Sequence, residues 1–154
     1  MLPKTHIILG AGLSIILYFL FPQLSFIGAI IIFLASFLID FDHYLYYVFL
    51  KKDINPHRAY RWFMKTKDKY QSLTSEKRKI TYTAVCFFHG IEILGLLALL
   101  IFYSKIFLYI LIGSSFHLML DLIYCGVQKE MGHTPSLLYK FIKTRKFKHI
   151  DDKP

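Results

Sequence analysis

Acidic and histidine side chains interrupt the apolar runs of this 154-residue chain. Eight of them lie within or at the ends of such runs: His6, Asp40, Asp42, His43, His89, Glu92, His117 and Asp121. A charge at the middle of a bilayer costs ~2.5–3.5 kcal/mol, so these residues are candidates for function. The spacing of His89 with Glu92, and of His117 with Asp121, would place each pair on one helix face.

Metal binding is the chemistry that suits this set of side chains. Four carboxylates would repel one another unless cations neutralised them, and divalent metals accept imidazole and carboxylate ligands together. Eight ligands exceed one tetrahedral site, so we expect two ions of Zn, Mn or Fe, or one ion with a large outer shell. Two metals can activate water near neutral pH. Glu92, as a general base, and Asp42 are the candidate catalytic residues.

Four apolar runs must position these residues, at about 6–21, 24–39, 80–103 and 106–125. About 20 residues of helix cross a hydrocarbon core. The predicted fold is therefore an all-α, polytopic membrane bundle of about four transmembrane helices. This bundle takes residues 1–126, with a cytoplasmic helical loop at 51–79 and a basic cytoplasmic tail at 127–154. Pro22 and Gln23 predict an antiparallel hairpin between the first two helices.

Small residues and helix depth predict how these helices meet. Gly10 with Ser14, and Gly113 with Ser114, predict close helix packing. His89 is expected ~14 Å along the third helix from its cytoplasmic start, at 1.5 Å per residue. All four helices would then bring their ligands to a similar depth.

Composition and charge indicate where the protein resides. Hydrophobic residues make up 55% of the chain, which argues against a disordered chain and against a soluble globule. Of the 19 Lys and Arg residues, only Lys105 lies on the opposite side of the predicted membrane from the rest. The positive-inside rule predicts both termini and the middle loop in the cytoplasm, for a protein of the inner or plasma membrane. The net charge of +9 is thus explained by basic residues that mark the predicted cytoplasmic side of the membrane. No motif in the sequence indicates nucleic-acid binding.

The polar segments hold further candidates. His57 and Arg58 are candidate ligands for a substrate anion, or ordinary surface residues. The segment Trp62-Phe63-Met64 is either an interfacial patch on the leaflet or part of a loop helix packed on the bundle. His133 and His149 are expected to be solvated.

Three motifs connect these residues to a known family. Thr5-His6 opens the first run, Ile39-Asp40-Phe41-Asp42-His43 closes the second, and Ser115-Phe116-His117-Leu118-Met119-Leu120-Asp121 lies in the last. Together, over about the first 126 residues, they resemble the membrane-bound metal-dependent hydrolases, including the LexA-regulated inner-membrane type. The resemblance implies a small helical membrane bundle and metal-dependent hydrolysis. The chain departs from the pattern at Ile39, where the family usually has Pro, and at Ala59, where it has Gly.

The residues and the resemblance predict a membrane-embedded metal-dependent hydrolase. Its substrate would be an ester or phosphoester at the cytoplasmic leaflet, and a fainter similarity to zinc-dependent phospholipases C implies a phospholipid head group. Two alternatives remain open. A b-type haem protein would use the intramembrane histidines, although haem ligation has no use for the neighbouring acids. A divalent-cation carrier would use the same ligands without chemistry, although no inverted repeat is evident.

Overall fold

The computed structural model describes residues 3–79, 81–82, 84, 87–127, 136 and 148–150. The elements are, in chain order, α1 (Pro3–Leu20), α2 (Phe26–Leu38), α3 (Phe41–Lys51), α4 (Pro56–Ser72), α5 (Ser75–Lys79), β1 (Thr81–Tyr82), α6 (Ile91–Leu100), α7 (Lys105–Val127) and β2 (Lys148–His149). The two short strands pair in parallel, Thr81 with Lys148 and Tyr82 with His149. Helices dominate the structure, which confirms the predicted fold class.

Three stretches of the described chain are long and apolar enough to cross a membrane: Pro3–Leu20, Phe26–Lys51 and Lys105–Gly126. Helix α2 packs against both α1 and α7, and α6 packs against α7. Large apolar side chains on the outside of these helices remain exposed, as shown by Ile8 at 69% and Phe19 at 76%. Such a surface suits lipid, because hydrocarbon chains are as apolar as these side chains.

The α1–α2 hairpin forms where Pro22 and Gln23 predicted it. The amide of Leu24 donates to the carbonyl of Phe21 at 2.8 Å, which closes the turn. Ser25 then caps α2, since its hydroxyl accepts from the amide of Gly28 at 3.0 Å. A capped helix start satisfies one of the donors that a helix N-terminus leaves unpaired.

The predicted third span, 80–103, is the main difference from expectation. Within it the described α-helix covers only Ile91–Leu100, which is 10 residues. Thr81 and Tyr82 instead pair as a strand, consistent with the low helix propensity of β-branched and aromatic residues. The described structure therefore contains three candidate spans rather than four. His89 lies in a turn before α6 and not one-third of the way along a helix.

The loop between the membrane helices is helical and packs on α3. Helix α3 ends at Lys51, and the chain reverses at the next residue, Lys52, whose φ of 54° is left-handed. The Tyr47 hydroxyl donates to Asp53 Oδ2 at 2.6 Å across this reversal. The Trp62 ring on α4 packs against the Tyr47 ring, with centroids 5.7 Å apart. Of the two interpretations of the Trp62 segment, the structure therefore supports the packed helix.

Small residues let α1 and α7 approach α2 closely, as predicted. A Cβ atom at Gly10 would lie 2.8 Å from Ser36 Cβ, and one at Gly113 would lie 2.7 Å from Ala35 Cβ. Ser36 is fully buried between these neighbours. Only a residue without a side chain allows helix axes to come this near, so the glycines determine the spacing of the bundle.

Candidate metal centre

Six of the eight predicted ligands converge at one end of the bundle. They form three overlapping groups, in each of which the possible ligand atoms lie within 4.8 Å of one another: His6 with Asp40 and His117, Asp40 with His43 and His89, and His89 with His117 and Asp121. Helix α1, the α2–α3 junction, the turn before α6, and α7 supply these residues. Chain segments far apart in sequence thus meet at one cluster.

Five of the six distances among four atoms of this cluster, which we call the tetrahedral set, are close to those of ligands around one metal ion. His117 Nε2 lies 3.1 Å from His89 Nε2, 3.3 Å from Asp121 Oδ2 and 3.6 Å from Asp40 Oδ1. His89 Nε2 lies 3.5 Å from Asp40 Oδ1 and 3.7 Å from Asp121 Oδ2. Ligands at ~2.0–2.1 Å from a tetrahedral Zn²⁺ lie ~3.3–3.4 Å from one another. The two triangles that share the His89–His117 edge, one with Asp40 and one with Asp121, therefore each have the ligand spacing of a divalent ion.

The backbone of α2 orients the His117 ring. His117 Nδ1 lies 2.9 Å from the Ser36 carbonyl oxygen. A carbonyl only accepts, so Nδ1 carries the hydrogen and Nε2 presents its lone pair to the cluster. The Ser36 carbonyl is available because the Asp40 amide, its normal α-helical partner, donates to Phe37 O at 3.1 Å. The distortion at the end of α2 thus positions both a ligand and its support.

Asp42 plays the same part for His89. Asp42 Oδ2 accepts from the Phe88 amide at 2.9 Å and lies 3.1 Å from His89 Nδ1. Asp42 was predicted as a ligand and catalytic residue, but it is absent from all three groups within the described chain and lies behind His89. A carboxylate behind a metal-binding imidazole fixes its tautomer and raises its basicity.

The electrostatics of His89 follow from these carboxylates. Burial lowers the pKa of His89, but its hydrogen bonds to Asp40 and Asp42 outweigh burial and raise that pKa to about 9. Without a metal ion, the imidazole therefore holds a proton at neutral pH. A divalent cation would have to displace this proton to bind.

His6 and His43 occupy opposite environments within the cluster. His6 is fully buried, and its ring stacks on the His117 ring with centroids 4.0 Å apart. The His43 side chain is 33% exposed, and its Nε2 lies 3.8 Å from Asp40 Oδ1. The Phe63 ring of α4 meets the His43 ring edge-on at 5.2 Å. The more open side of the cluster therefore faces α4.

Glu92 does not join the cluster. Its side chain is exposed, accepts from the Ser136 hydroxyl at 2.6 Å, and belongs to none of the three groups of described residues. The predicted helical pairing of His89 with Glu92 is wrong, because Gly90 is extended and α6 begins only at Ile91. The Phe88 amide, which could have donated within a helix, donates to Asp42 instead.

The remaining candidates lie outside the cluster. His57 and Arg58 are exposed at the start of α4, where the Asn55 side chain accepts from both amides. Arg58 Nη1 lies 3.5 Å from Asp53 Oδ2, an intramolecular ion pair. His149 was expected to be solvated but is buried, with its ring stacked on Trp62. His133 lies outside the described residues.

Two residues that support the site, Ser36 and Phe63, could not be identified from their side-chain chemistry in the sequence. Ser36 acts through its backbone carbonyl, which every residue possesses, so its type does not mark its role. Phe63 is one aromatic residue among many. The only clue to Ser36 is that it is a small residue within a strongly apolar run, a pattern typical of close helix contacts.

Comparisons with known proteins add no further identification. No protein-family model matches this chain, and no curated protein or solved structure is significantly similar to it. The motifs and the geometry of the cluster are therefore what a functional proposal must rest on.

Proposed function

We propose that this chain is a membrane-embedded, metal-dependent hydrolase. The observation that carries the proposal is the convergence of His89 Nε2 and His117 Nε2, 3.1 Å apart, with one carboxylate oxygen each from Asp40 and Asp121. Both Nδ1 atoms face acceptors, so both Nε2 atoms are directed into the cluster. Two such nitrogens repel unless a proton or a metal ion lies between them, and a divalent metal would take the place of the proton that His89 holds in the metal-free protein. Asp40 and Asp121 supply the negative charge that such a metal requires.

The residues of the cluster have separate tasks in the proposed reaction. A divalent ion, with zinc as the first choice, would polarise the ester oxygen and lower the pKa of a water molecule. Ser36 and Asp42 keep the two imidazoles aimed inward, so little reorganisation is needed during the reaction. In hydrolysis the water oxygen bonds to the carbonyl carbon or phosphorus, the ester bond breaks, and the leaving oxygen takes a proton.

The proposed substrate is an ester or phosphoester of the cytoplasmic leaflet, and a phospholipid head group fits best. The more open side of the cluster, at His43, faces α4. Helix α4 and the end of α3 carry exposed basic side chains at Lys51, Lys52, Arg58, Arg61 and Lys65. Anionic lipid head groups are attracted to such a surface. The same charge distribution supports a cytoplasmic location for both termini, in an inner or plasma membrane.

The two alternatives gain less support from the geometry. Two imidazole nitrogens on opposite sides of one haem iron, each at ~2 Å from the metal, would lie ~4 Å apart. The His89 and His117 nitrogens lie 3.1 Å apart among carboxylates. A divalent-cation carrier would use the same ligands, so turnover alone distinguishes it from a hydrolase.

The test combines metal content with turnover. The protein is purified in mild detergent, its bound metals are measured by mass spectrometry, and hydrolysis of fluorogenic ester and phosphoester lipids is followed. We expect bound Zn, Mn or Fe, no haem absorption, and turnover that a chelator abolishes and metal restores. His117→Ala should lose the metal, while His57→Ala, outside the cluster, should keep it. Haem absorption, or full metal content in His117→Ala, would overturn the proposal; metal without turnover would favour the carrier.

A further inference from the structure

His6 is a buried imidazole that the tetrahedral set does not use. It is fully buried, and neither of its ring nitrogens has a hydrogen-bond partner among the described residues. A buried polar group without a partner is destabilising and uncommon in folded proteins. A ligand for one of these nitrogens would explain why the fold tolerates this histidine.

Two carboxylates lie close to His6 without forming hydrogen bonds of good geometry with it. His6 Nε2 lies 3.2 Å from Asp121 Oδ1, yet the two do not have hydrogen-bond geometry. Two ligands of one metal ion have this relationship, because each points at the ion and not at the other. Asp40 Oδ2 is also buried, and no atom of the described chain forms a hydrogen bond with it. The ligand atoms of His6, Asp40 and His117 lie within 4.8 Å of one another.

Asp40 and Asp121 each place one carboxylate oxygen in the tetrahedral set. The other oxygen of each carboxylate lies outside that set. Asp121 Oδ2 and Asp40 Oδ1 belong to the tetrahedral set with His89 and His117. Asp121 Oδ1 contacts His6, and Asp40 Oδ2 has no partner among the described residues. Carboxylates can bind metals through one oxygen or both.

We propose a second divalent-cation site formed by His6 Nε2, Asp121 Oδ1 and Asp40 Oδ2, which shares both carboxylates with the first site. This inference rests on the proposed metal centre and adds the place of a second ion. It also narrows the substrate class to phosphoesters, because paired ions suit both the attacking and the leaving oxygen of a phosphoryl group. Helix α1 contributes to the site through one residue, His6.

The test is the number of metal ions per chain, measured on the intact protein in detergent. After loading with Mn²⁺ and removal of free metal, the wild type should hold two ions and show the electron paramagnetic resonance of a coupled pair. His6→Ala should hold one ion and give the signal of isolated Mn²⁺. Ser14→Ala is the matched control, since Ser14 lies two turns along the same buried face of α1. It should retain two coupled ions.

The outcomes separate this inference from the proposed function. One ion in the wild type overturns the second site and leaves the first intact, and this result needs no variant to fold. Two coupled ions in His6→Ala overturn the role of His6. A wild type that binds no metal overturns both proposals. A loss of one ion in Ser14→Ala as well would assign the effect to α1 packing and would also overturn the role of His6.

Discussion

The close contact between α7 and α2 at Gly113 makes a quantitative prediction about the metal centre. In Gly113→Ala, the new methyl group would lie 2.7 Å from Ala35 Cβ and 3.0 Å from the Ser36 amide nitrogen. It would also overlap the Ile32 carbonyl. These are backbone atoms and a short side chain, none of which can rotate away. The helices must therefore move apart.

The size of that movement determines the effect on metal binding. Non-bonded carbon atoms are comfortable at ~3.5–4.0 Å, so α7 must shift by ~1 Å. His117 lies one turn further along α7, and its Nδ1 is now 2.9 Å from the Ser36 carbonyl. The same shift would lengthen this bond to ~3.9 Å, beyond hydrogen-bond range. Loss of such a support behind a metal-binding histidine weakens metal affinity ~10–100-fold.

The assay is a Zn²⁺ titration against a fluorescent chelator in detergent, with helicity and elution profile checked first. Gly12→Ala and Gly126→Ala are matched controls on α1 and α7, because a Cβ atom at either position has no neighbouring atom of the described residues within 4 Å. Both controls should bind Zn²⁺ as the wild type does. Wild-type affinity in Gly113→Ala would refute the argument that helix spacing aims His117, and equal losses in the controls would refute its specificity.

Three further predictions address individual residues of the site. Asp42→Asn removes the charge behind His89 and should weaken Zn²⁺ affinity ~10-fold or more in the same titration; unchanged affinity would mean that Asp42 does not support His89. In metal-free protein, the pKa of His89 is raised from 6.5 to about 9, so its stabilising contribution is fully present below pH 6.5 and is lost as pH rises through about 9. The thermal midpoint of chelator-treated protein should fall over that range, and His89→Gln should remove the slope; a wild-type midpoint that rises with pH would contradict a cationic His89. Glu92→Gln should leave the metal content unchanged, because Glu92 is exposed and accepts from Ser136; a lost ion would return Glu92 to the site.

The amino-acid sequence alone identified the class of the fold and most of the cluster. Long apolar runs predict helices because buried or lipid-facing backbone must satisfy its own hydrogen bonds. Residues one helical turn apart share a face, so the pairing of His117 with Asp121 followed from spacing and is confirmed at 3.3 Å. The cost of burying acids and histidines in an apolar chain also marked Asp40 and His6 correctly as members of the cluster.

Only the tertiary structure decided which of these residues meet and which support them. The segment before α6 looked like a continuation of a helix, yet Asp42, far away in sequence, takes the Phe88 amide and holds His89 in a turn. That contact removes the regular spacing from which Glu92 was assigned to the site. Local periodicity cannot predict it, because a single long-range hydrogen bond can outweigh a weak preference for helix. The same holds for Ser36, whose carbonyl acquires its role only when Gly113 brings α7 against α2.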